Sequence, residues 1–368
     1  MTTAMHKLAL IKPDGRELFL YGRAPIALRG DPQSPAPAAG LRGDAGSHLR
    51  WHPLRGEWVV YAGHRQGRTF LPPAEWDPLA PGHDPAHPTE VPAGAWDVAV
   101  FENLFSALGS PGGGLAPEHG VAAVPCGGRC EVVVFAQEPT GSLGGLPVDR
   151  IELVLAVWAD RTRALAARDD VAYVFAFENR GVEVGTTLHH PHGQIYAYPF
   201  VPPIAARALE LARAYHAEHA RTLIGDLVAA ELRAELRTLY AGPHAAAFVP
   251  ACARWAYEIW VAPRRPVPSI ALLDGAARLD LARALQRALR KLDGLWRAPM
   301  PYVLTLHQAP ARGVHDYAHL HIEIYPWLRM PGRIKYLAGS EVGAGTFTAD
   351  TLPEATAAEL RAVEVIDD

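Results

Sequence analysis

Two imidazoles and an amide recur at alternate positions in Thr187-Leu188-His189-His190-Pro191-His192-Gly193-Gln194, just before the apolar and aromatic run Ile195-Tyr196-Ala197-Tyr198. That run, closed by Pro199, predicts a strand. Side chains in a strand alternate between faces, so His190, His192 and Gln194 are expected to point the same way. An imidazole in such a row can attack phosphorus, and a neighbouring amide can hold a phosphoryl oxygen. Gly193 would let a bulky phosphate approach the backbone. The competing reading is a polar strand face with two satisfied, buried histidines. A lone histidine would favour that reading; the whole His-Pro-His-Gly-Gln series favours chemistry.

The elements that must position these groups show in a second copy. His319-Leu320-His321-Ile322-Glu323-Ile324-Tyr325 repeats the spacing at an offset of 129 residues, and Tyr302 to Gln308 matches Tyr173 to Asn179 at the same offset. Helix-period segments precede both, Val148 to Ala167 and Ala277 to Trp296, and strand-like runs precede those, Cys130 to Phe135 and Tyr257 to Ala262. The pattern is a duplicated strand–helix–strand–loop–strand unit. Its copies differ where chemistry would occur, because Gly193 becomes Ile322 and Gln194 becomes Glu323. The first copy is built for phosphorus; the second suits a cation or a structural role.

The fold class expected is α+β: two lobes, each a copy of this unit, with mainly antiparallel sheet and flanking helices. Residues 1–47 would hold a hairpin (Leu8 to Ile11 and Glu17 to Tyr21 around Pro13-Asp14-Gly15) and a Pro/Ala/Gly linker, making the hairpin an appendage. The first lobe would span 48–203, with Glu57 to Tyr61 as its first strand, and the second 204–368. Ile204 to Leu239 is expected as a long helix or helical pair joining them. With 368 residues, 49% of them hydrophobic, the chain can bury a large core. A net charge of −4 provides no broad basic field for nucleic acid or an anionic membrane. No apolar run approaches a membrane span, and the start has no signal-peptide core. Three cysteines make no disulfide framework, which points to a reducing, cytoplasmic setting. Cys126 and Cys130 could share a metal, but two thiols in a Gly-rich turn are weaker evidence than plain burial.

Other groups could meet a ligand. In His64-Arg65-Gln66-Gly67-Arg68, just past a strand end, Arg65 and Arg68 could grip a diphosphate with their guanidinium forks. Phe177 to Gly185 reads as a polar, Gly-punctuated loop of the kind that closes over ligands. His307, His319 and His321 could hold a divalent metal or be relics of duplication, and the sequence leaves both open.

Together these segments resemble the galactose-1-phosphate uridylyltransferases, the transferase branch of the histidine-triad superfamily. The resemblance runs from about His48 to the C-terminus. It rests on Arg50-Trp51-His52-Pro53-Leu54-Arg55-Gly56-Glu57-Trp58, His64-Arg65-Gln66-Gly67-Arg68, Val100-Phe101-Glu102-Asn103, Phe177-Glu178-Asn179-Arg180-Gly181, His190-Pro191-His192-Gly193-Gln194, His307-Gln308-Ala309-Pro310 and His319-Leu320-His321. It implies that His192 is the nucleophile, with His190 beside it, and that Gln194 binds the transferred phosphoryl group. It further implies that Arg65 and Arg68 meet phosphates, that Asn103 and Asn179 sit in the nucleotide site, and that Gly185 and Thr187 lie close to the ligand. Lys335, Glu341 and Phe347 fall in the region that handles the hexose. The implied substrates are UDP-glucose and a hexose 1-phosphate, with a covalent uridylyl-histidine between two displacements. The other nitrogen of His192 must then donate a hydrogen bond that fixes the attacking tautomer. A homodimer that shares residues at the sugar end, and no organic cofactor, are also implied.

The departures from the family pattern are specific. Many members hold a structural zinc with a Cys-x-x-Cys pair, a later His and the first His of the catalytic motif. Here the pair reads Asp77-Pro78-Leu79-Ala80 and the later position is Pro139, so only His190 remains and that zinc is expected to be absent. The second site, for one zinc or iron ion, keeps His307, His319 and His321, but Ala208 stands where the family has Glu. Leu104 replaces an acidic residue of the nucleotide site, and Phe347 a sugar-contacting Gln. Losing a hydroxyl's partner alters sugar discrimination strongly. ADP-sugar or dinucleoside-polyphosphate phosphorolysis therefore stays open as an alternative, as does, further back, non-catalytic nucleotide binding.

Overall fold

The computed structural model describes residues 4–29, 46–67, 72, 76–82, 89–109 and 120–365; Arg68 and most of the Pro/Ala/Gly stretch lie outside them. Eleven strands form one sheet. In chain order they are β1 (His6–Ile11), β2 (Glu17–Gly22), β3 (Val98–Glu102), β4 (Arg129–Val134), β5 (Tyr173–Arg180) and β6 (His192–Tyr198), then β7 (Thr238–Ala241), β8 (Ala245–Phe248), β9 (Ile259–Pro263), β10 (Tyr302–His307) and β11 (His321–Pro326). Their order across the sheet is β1-β2-β3-β4-β6-β5-β10-β11-β9-β8-β7, and every pairing is antiparallel.

The repeat in the sequence is a repeat in space. One unit orders its strands β4-β6-β5 and the other β9-β11-β10, with β5 pairing β10 at the centre. The two lobes therefore share one continuous sheet. Their junction is made by residues expected to lie in a loop: Phe177, Glu178, Asn179 and Arg180 continue β5 and pair with Thr305, Leu304, Val303 and Tyr302. Only from Gly181 does the chain leave the sheet, in a short 3₁₀ turn at Val182–Val184 that ends on Gly185 at φ +78°.

Helices α1 (Val148–Ala166) and α4 (Gly275–Leu295) cover one face of this sheet. Each buries an apolar stripe at helical spacing: Ile151, Val154, Leu155 and Trp158 in α1, and Leu281, Leu285, Leu289 and Leu292 in α4. Those side chains join Val133, Ile195 and Ala197 of the first unit and Val261, Ile322 and Ile324 of the second in a single core. The duplication thus closes one apolar layer, and the opposite face is left for function. The joining segment is a helical pair, α2 (Pro203–His219) and α3 (Leu223–Ala234). The last helix is α5 (Pro353–Ala362). Glu57–Tyr61 is a strand, but His48–His52 precedes and pairs with it, in a separate three-stranded sheet. Among the described residues, no helix is long and apolar enough to cross a membrane.

The N-terminal hairpin is not an appendage. Strand β2 pairs with β3, and Leu18 and Leu20 are buried against Phe101 and Val132. Its turn carries a buried charge network that composition could not reveal. Arg16 donates from Nη2 to Glu90 Oε2 at 2.9 Å, from Nε to Asp14 Oδ2 at 2.6 Å and from Nη1 to the Glu102 carbonyl at 2.8 Å, while Lys12 pairs with the same Glu90. Burial pulls the Lys12 ammonium below its usual range, against the attraction of Glu90. Removing one partner of a buried pair strands the other charge in a dry site. Arg16→Met is therefore expected to lower stability by on the order of 3 kcal/mol in equilibrium denaturation. An unchanged midpoint would show that the hairpin is dispensable.

Candidate active site

Strand β6 alternates as its sequence requires. Gly193, Ile195 and Ala197 face the core, and His192, Gln194, Tyr196 and Tyr198 face the other way. The strand begins at His192, two residues after His190. The His190 ring is buried, with Nδ1 2.6 Å from Asp77 Oδ2 and Nε2 2.8 Å from the Ala136 carbonyl. The Ala136 carbonyl can only accept, so Nε2 donates to it. The His190 backbone carbonyl in turn accepts a 2.8 Å hydrogen bond from Nδ1 of His192. With Nδ1 carrying the hydrogen, Nε2 of His192 keeps the lone pair. Burial pushes the His192 pKa below its usual value, against the opposing pull of its hydrogen bond to the His190 carbonyl, and so keeps the ring neutral.

His192 and Gln194 line a cavity of about 490 Å³. Arg65, Asn103, Asn179, Gly185 and Thr187 share its wall, so the structure gathers these sequence-predicted residues around one space. Arg65 reaches it from the 3₁₀ turn Gly63–Gly67, with Nη1 donating to the Phe105 carbonyl at 2.5 Å. Asn103, just past β3, accepts the Phe105 N–H through Oδ1 at 2.9 Å. Leu79, Phe101, Leu104 and Val132 make part of the wall apolar, the kind of surface a flat base covers. Glu90, the residue clamped by Lys12 and Arg16, also lines the cavity. Nothing in its local sequence marked it.

Gly193 plays another part than the one expected. A Cβ there would sit 2.8 Å from the Phe135 ring and 3.0 Å from the Phe177 carbonyl, on the core side. The glycine admits Phe135 on the core side of the strand, next to His192, and does not make room for phosphate. Lys335, Glu341 and Phe347 do not line the cavity. Lys335 donates to the Thr348 carbonyl at 2.7 Å and sits 3.7 Å from Glu341, and Phe347 packs on Trp255 and Arg254.

Comparison with known proteins supplies the family. The profile described as the galactose-1-phosphate uridyl transferase N-terminal domain matches residues 41–202, and that of the C-terminal domain matches 208–367. A galactose-1-phosphate uridylyltransferase of Thermotoga maritima is 33% identical over 321 residues, covering 86% of this chain and 98% of that protein. One from Streptomyces lividans is 37% identical over 337 residues, 88% of this chain and 89% of that protein. The chain belongs to the galactose-1-phosphate uridylyltransferase family. It is a nucleotidyltransferase. A solved uridylyltransferase structure superposes with a TM-score of 0.78 at 33% identity, covering 86% of this chain and 98% of that one. An Arabidopsis thaliana ADP-glucose phosphorylase superposes at 0.65 with 22% identity over 88% of this chain and 100% of that one, a likeness of fold alone.

The family's metals can be tested against these residues. At the first site Asp77 and His190 touch at 2.6 Å. A tetrahedral zinc with nitrogen and oxygen donors at roughly 2.1 Å keeps neighbouring donors about 3.4 Å apart. Pro78, Leu79 and Ala80 add no ligating side chain, so among the described residues this pair alone does not fit the ion. The second cluster also differs from the expected set. His319 points Nε2 at the Pro263 carbonyl, 2.9 Å away, and Nδ1 at the Thr222 hydroxyl, 3.2 Å away. His307 and His321 instead face Glu323, at 3.8 and 3.3 Å, in a cavity of about 190 Å³ that Ala208 also lines. Among the described residues, no group of three or more His, Cys, Asp or Glu side chains is arranged to hold a metal. Cys126 and Cys130 are buried beside Leu49 and Leu108, and burial pushes the Cys126 thiol up to about 11.

Two outcomes are expected. Gly193→Ala should cost about 1–3 kcal/mol by overpacking against Phe135, read as a lower denaturation midpoint; an unchanged midpoint would mean that Phe135 yields freely. For His192 the sign is set by its lowered pKa: the reactive neutral ring persists to more acidic pH than an ordinary histidine. The acid limb of kcat/KM should therefore lie below pH about 6.5, and a limb at or above that value would contradict the buried, neutral nucleophile.

Proposed function

We propose that this transferase moves the uridylyl group of UDP-glucose to galactose 1-phosphate through a covalent intermediate on His192. The observation that carries the reading is the hydrogen bond from His192 Nδ1 to the His190 carbonyl, which commits Nε2 to be the nucleophile. Nε2 attacks the α-phosphorus, a nitrogen–phosphorus bond forms, and the bond to glucose 1-phosphate breaks. Galactose 1-phosphate then attacks the same phosphorus, releasing UDP-galactose and restoring the imidazole. Dividing one displacement into two lowers each barrier. Gln194 and Arg65, on the same wall as His192, are suited to hold the phosphoryl oxygens as charge shifts. Asn103 and Asn179 would grip the nucleoside, with its base against Leu79, Phe101 and Val132.

The hexose end requires a second subunit in this reading. Lys335, Glu341 and Phe347 lie outside the cavity, on a C-terminal segment that exposes Tyr336, Leu337 and Val342. Such a surface suits a twofold partner, which would carry those residues to the neighbouring site. The buried, unpaired Cys126 and Cys130 fit a reducing cytoplasm. Phosphorolysis of an ADP-sugar remains the second reading, because Leu104 occupies the nucleotide wall where the family has an acid.

Incubation with UDP-glucose labelled in the uridylyl group should place label on His192 and release glucose 1-phosphate. Full transfer by His192→Ala would exclude the nucleophile. Parallel assays of UDP-glucose with galactose 1-phosphate and ADP-glucose with phosphate should favour the first pair; the reverse preference would establish the phosphorolytic reading. Light scattering should give a dimer, and a monomer with full activity would contradict the shared site.

A further inference from the structure

We infer that Asp77 is a positioning residue for the nucleophile, acting through its direct contact with the ring of His190. The inference rests on the transferase reading of His192. Asp77 Oδ2 lies 2.6 Å from Nδ1 of His190, whose side chain is fully buried, and the ring's far nitrogen is held by the Ala136 carbonyl at 2.8 Å. An imidazole clamped at both ends cannot swing. Its backbone carbonyl is therefore fixed as well, and that carbonyl accepts Nδ1–H of His192 at 2.8 Å. One residue thus separates the Asp77 carboxylate from the reacting ring. Asp77 is itself braced, because its other oxygen accepts the Leu79 N–H at 2.9 Å. Leu79 lines the reaction cavity, so the segment that holds His190 also shapes the ligand's wall.

The duplicated unit provides an internal control. His319 repeats the far anchor, Nε2 to the Pro263 carbonyl at 2.9 Å, and His321 repeats the Nδ1 bond, to the His319 carbonyl at 2.9 Å. At the remaining nitrogen the copies diverge: His319 Nδ1 has the Thr222 hydroxyl at 3.2 Å, a longer contact with a neutral partner. The scaffold stands with a hydroxyl at this point. The short, charge-assisted contact occurs in the copy whose histidine must aim a lone pair, and such bonds are about twice as strong as neutral ones.

The test compares Asp77→Ala and Asp77→Asn with the wild-type protein, with metal content measured on all three. Asp77→Ala should slow single-turnover uridylylation of His192 about 10- to 100-fold, the range typical of groups that orient a reacting ligand from behind. Binding of UDP-glucose should stay within about twofold, because Asp77 does not line the cavity. Asp77→Asn should restore most of the rate, since its amide oxygen accepts the same hydrogen. Nitrogen-15 spectra should show His192 as the Nδ1–H tautomer in the wild type and Asp77→Asn, and as a tautomer mixture in Asp77→Ala. Asp77→Leu, which removes the acceptor but fills the space, replaces the alanine variant if that does not fold. Wild-type rate and tautomer in Asp77→Ala would overturn the inference. So would equal loss of rate and binding in both variants, or one zinc per wild-type chain that Asp77→Ala loses. If no protein transfers a uridylyl group, the transferase reading fails, and the tautomer series still decides the role of Asp77.

Discussion

The structure depends on one hydrogen bond, from His192 Nδ1 to the carbonyl two residues earlier. A neutral imidazole has a single lone pair, and this bond decides which nitrogen bears it. Everything around the bond serves to hold its two ends. The His190 ring is anchored by Asp77 and Ala136, β6 is clamped between β4 and β5, and Gly193 lets Phe135 pack directly beneath. Burial then keeps the ring uncharged. None of these features contributes a reacting atom. They fix where one atom's electrons point.

Duplication supplies the frame and also shows what the frame alone does. The second unit keeps the same carbonyl-to-imidazole geometry at His319 and His321, yet places Glu323 where the first has Gln194. An amide can donate to a phosphoryl oxygen, whereas a carboxylate would repel it. Glu323 is instead drawn into contact with His307, His321 and Tyr325. Hydrogen bonding from His321 and the neighbouring histidines outweighs burial and holds its pKa down, to about 2. The same backbone thus carries the proposed nucleophile in one unit and a closed polar cluster in the other. Between the two sites, Tyr196, Phe177, Phe175, His307 and His321 stack or pack edge-to-face in succession across the open face of the sheet. Separate chemistry on one shared layer follows from substitution at single positions.

Much of this was legible before the structure. The offset between the histidine pairs gave the duplication, and period-two alternation put His192 and Gln194 on one face, because both are local properties of the chain. The errors lie where long-range contacts decide. Lys12 and Arg16 meet Glu90 across 78 and 74 residues, and no local pattern announces such a pairing, so the hairpin read as detached. His190 falls two residues before the strand, and its contact with Asp77 spans 113 residues, beyond the reach of any local pattern. Gly193 is a glycine for the sake of Phe135, an aromatic ring just past the end of the neighbouring strand that only the folded sheet brings beneath it. The departures at Asp77 and Ala208 were visible as changed residue types. What took their place required coordinates.

The central claim is that His192 acts as a nucleophile and not as a base that activates the acceptor sugar phosphate. Each in-line displacement inverts the configuration at phosphorus, so two in succession restore it. The most direct measurement is the stereochemical course of transfer from UDP-glucose made chiral at the α-phosphorus with sulfur. Attack by His192 gives overall retention in the UDP-galactose formed. Inversion would mean a single direct displacement, and the hydrogen bond that aims His192 would then serve some purpose other than attack.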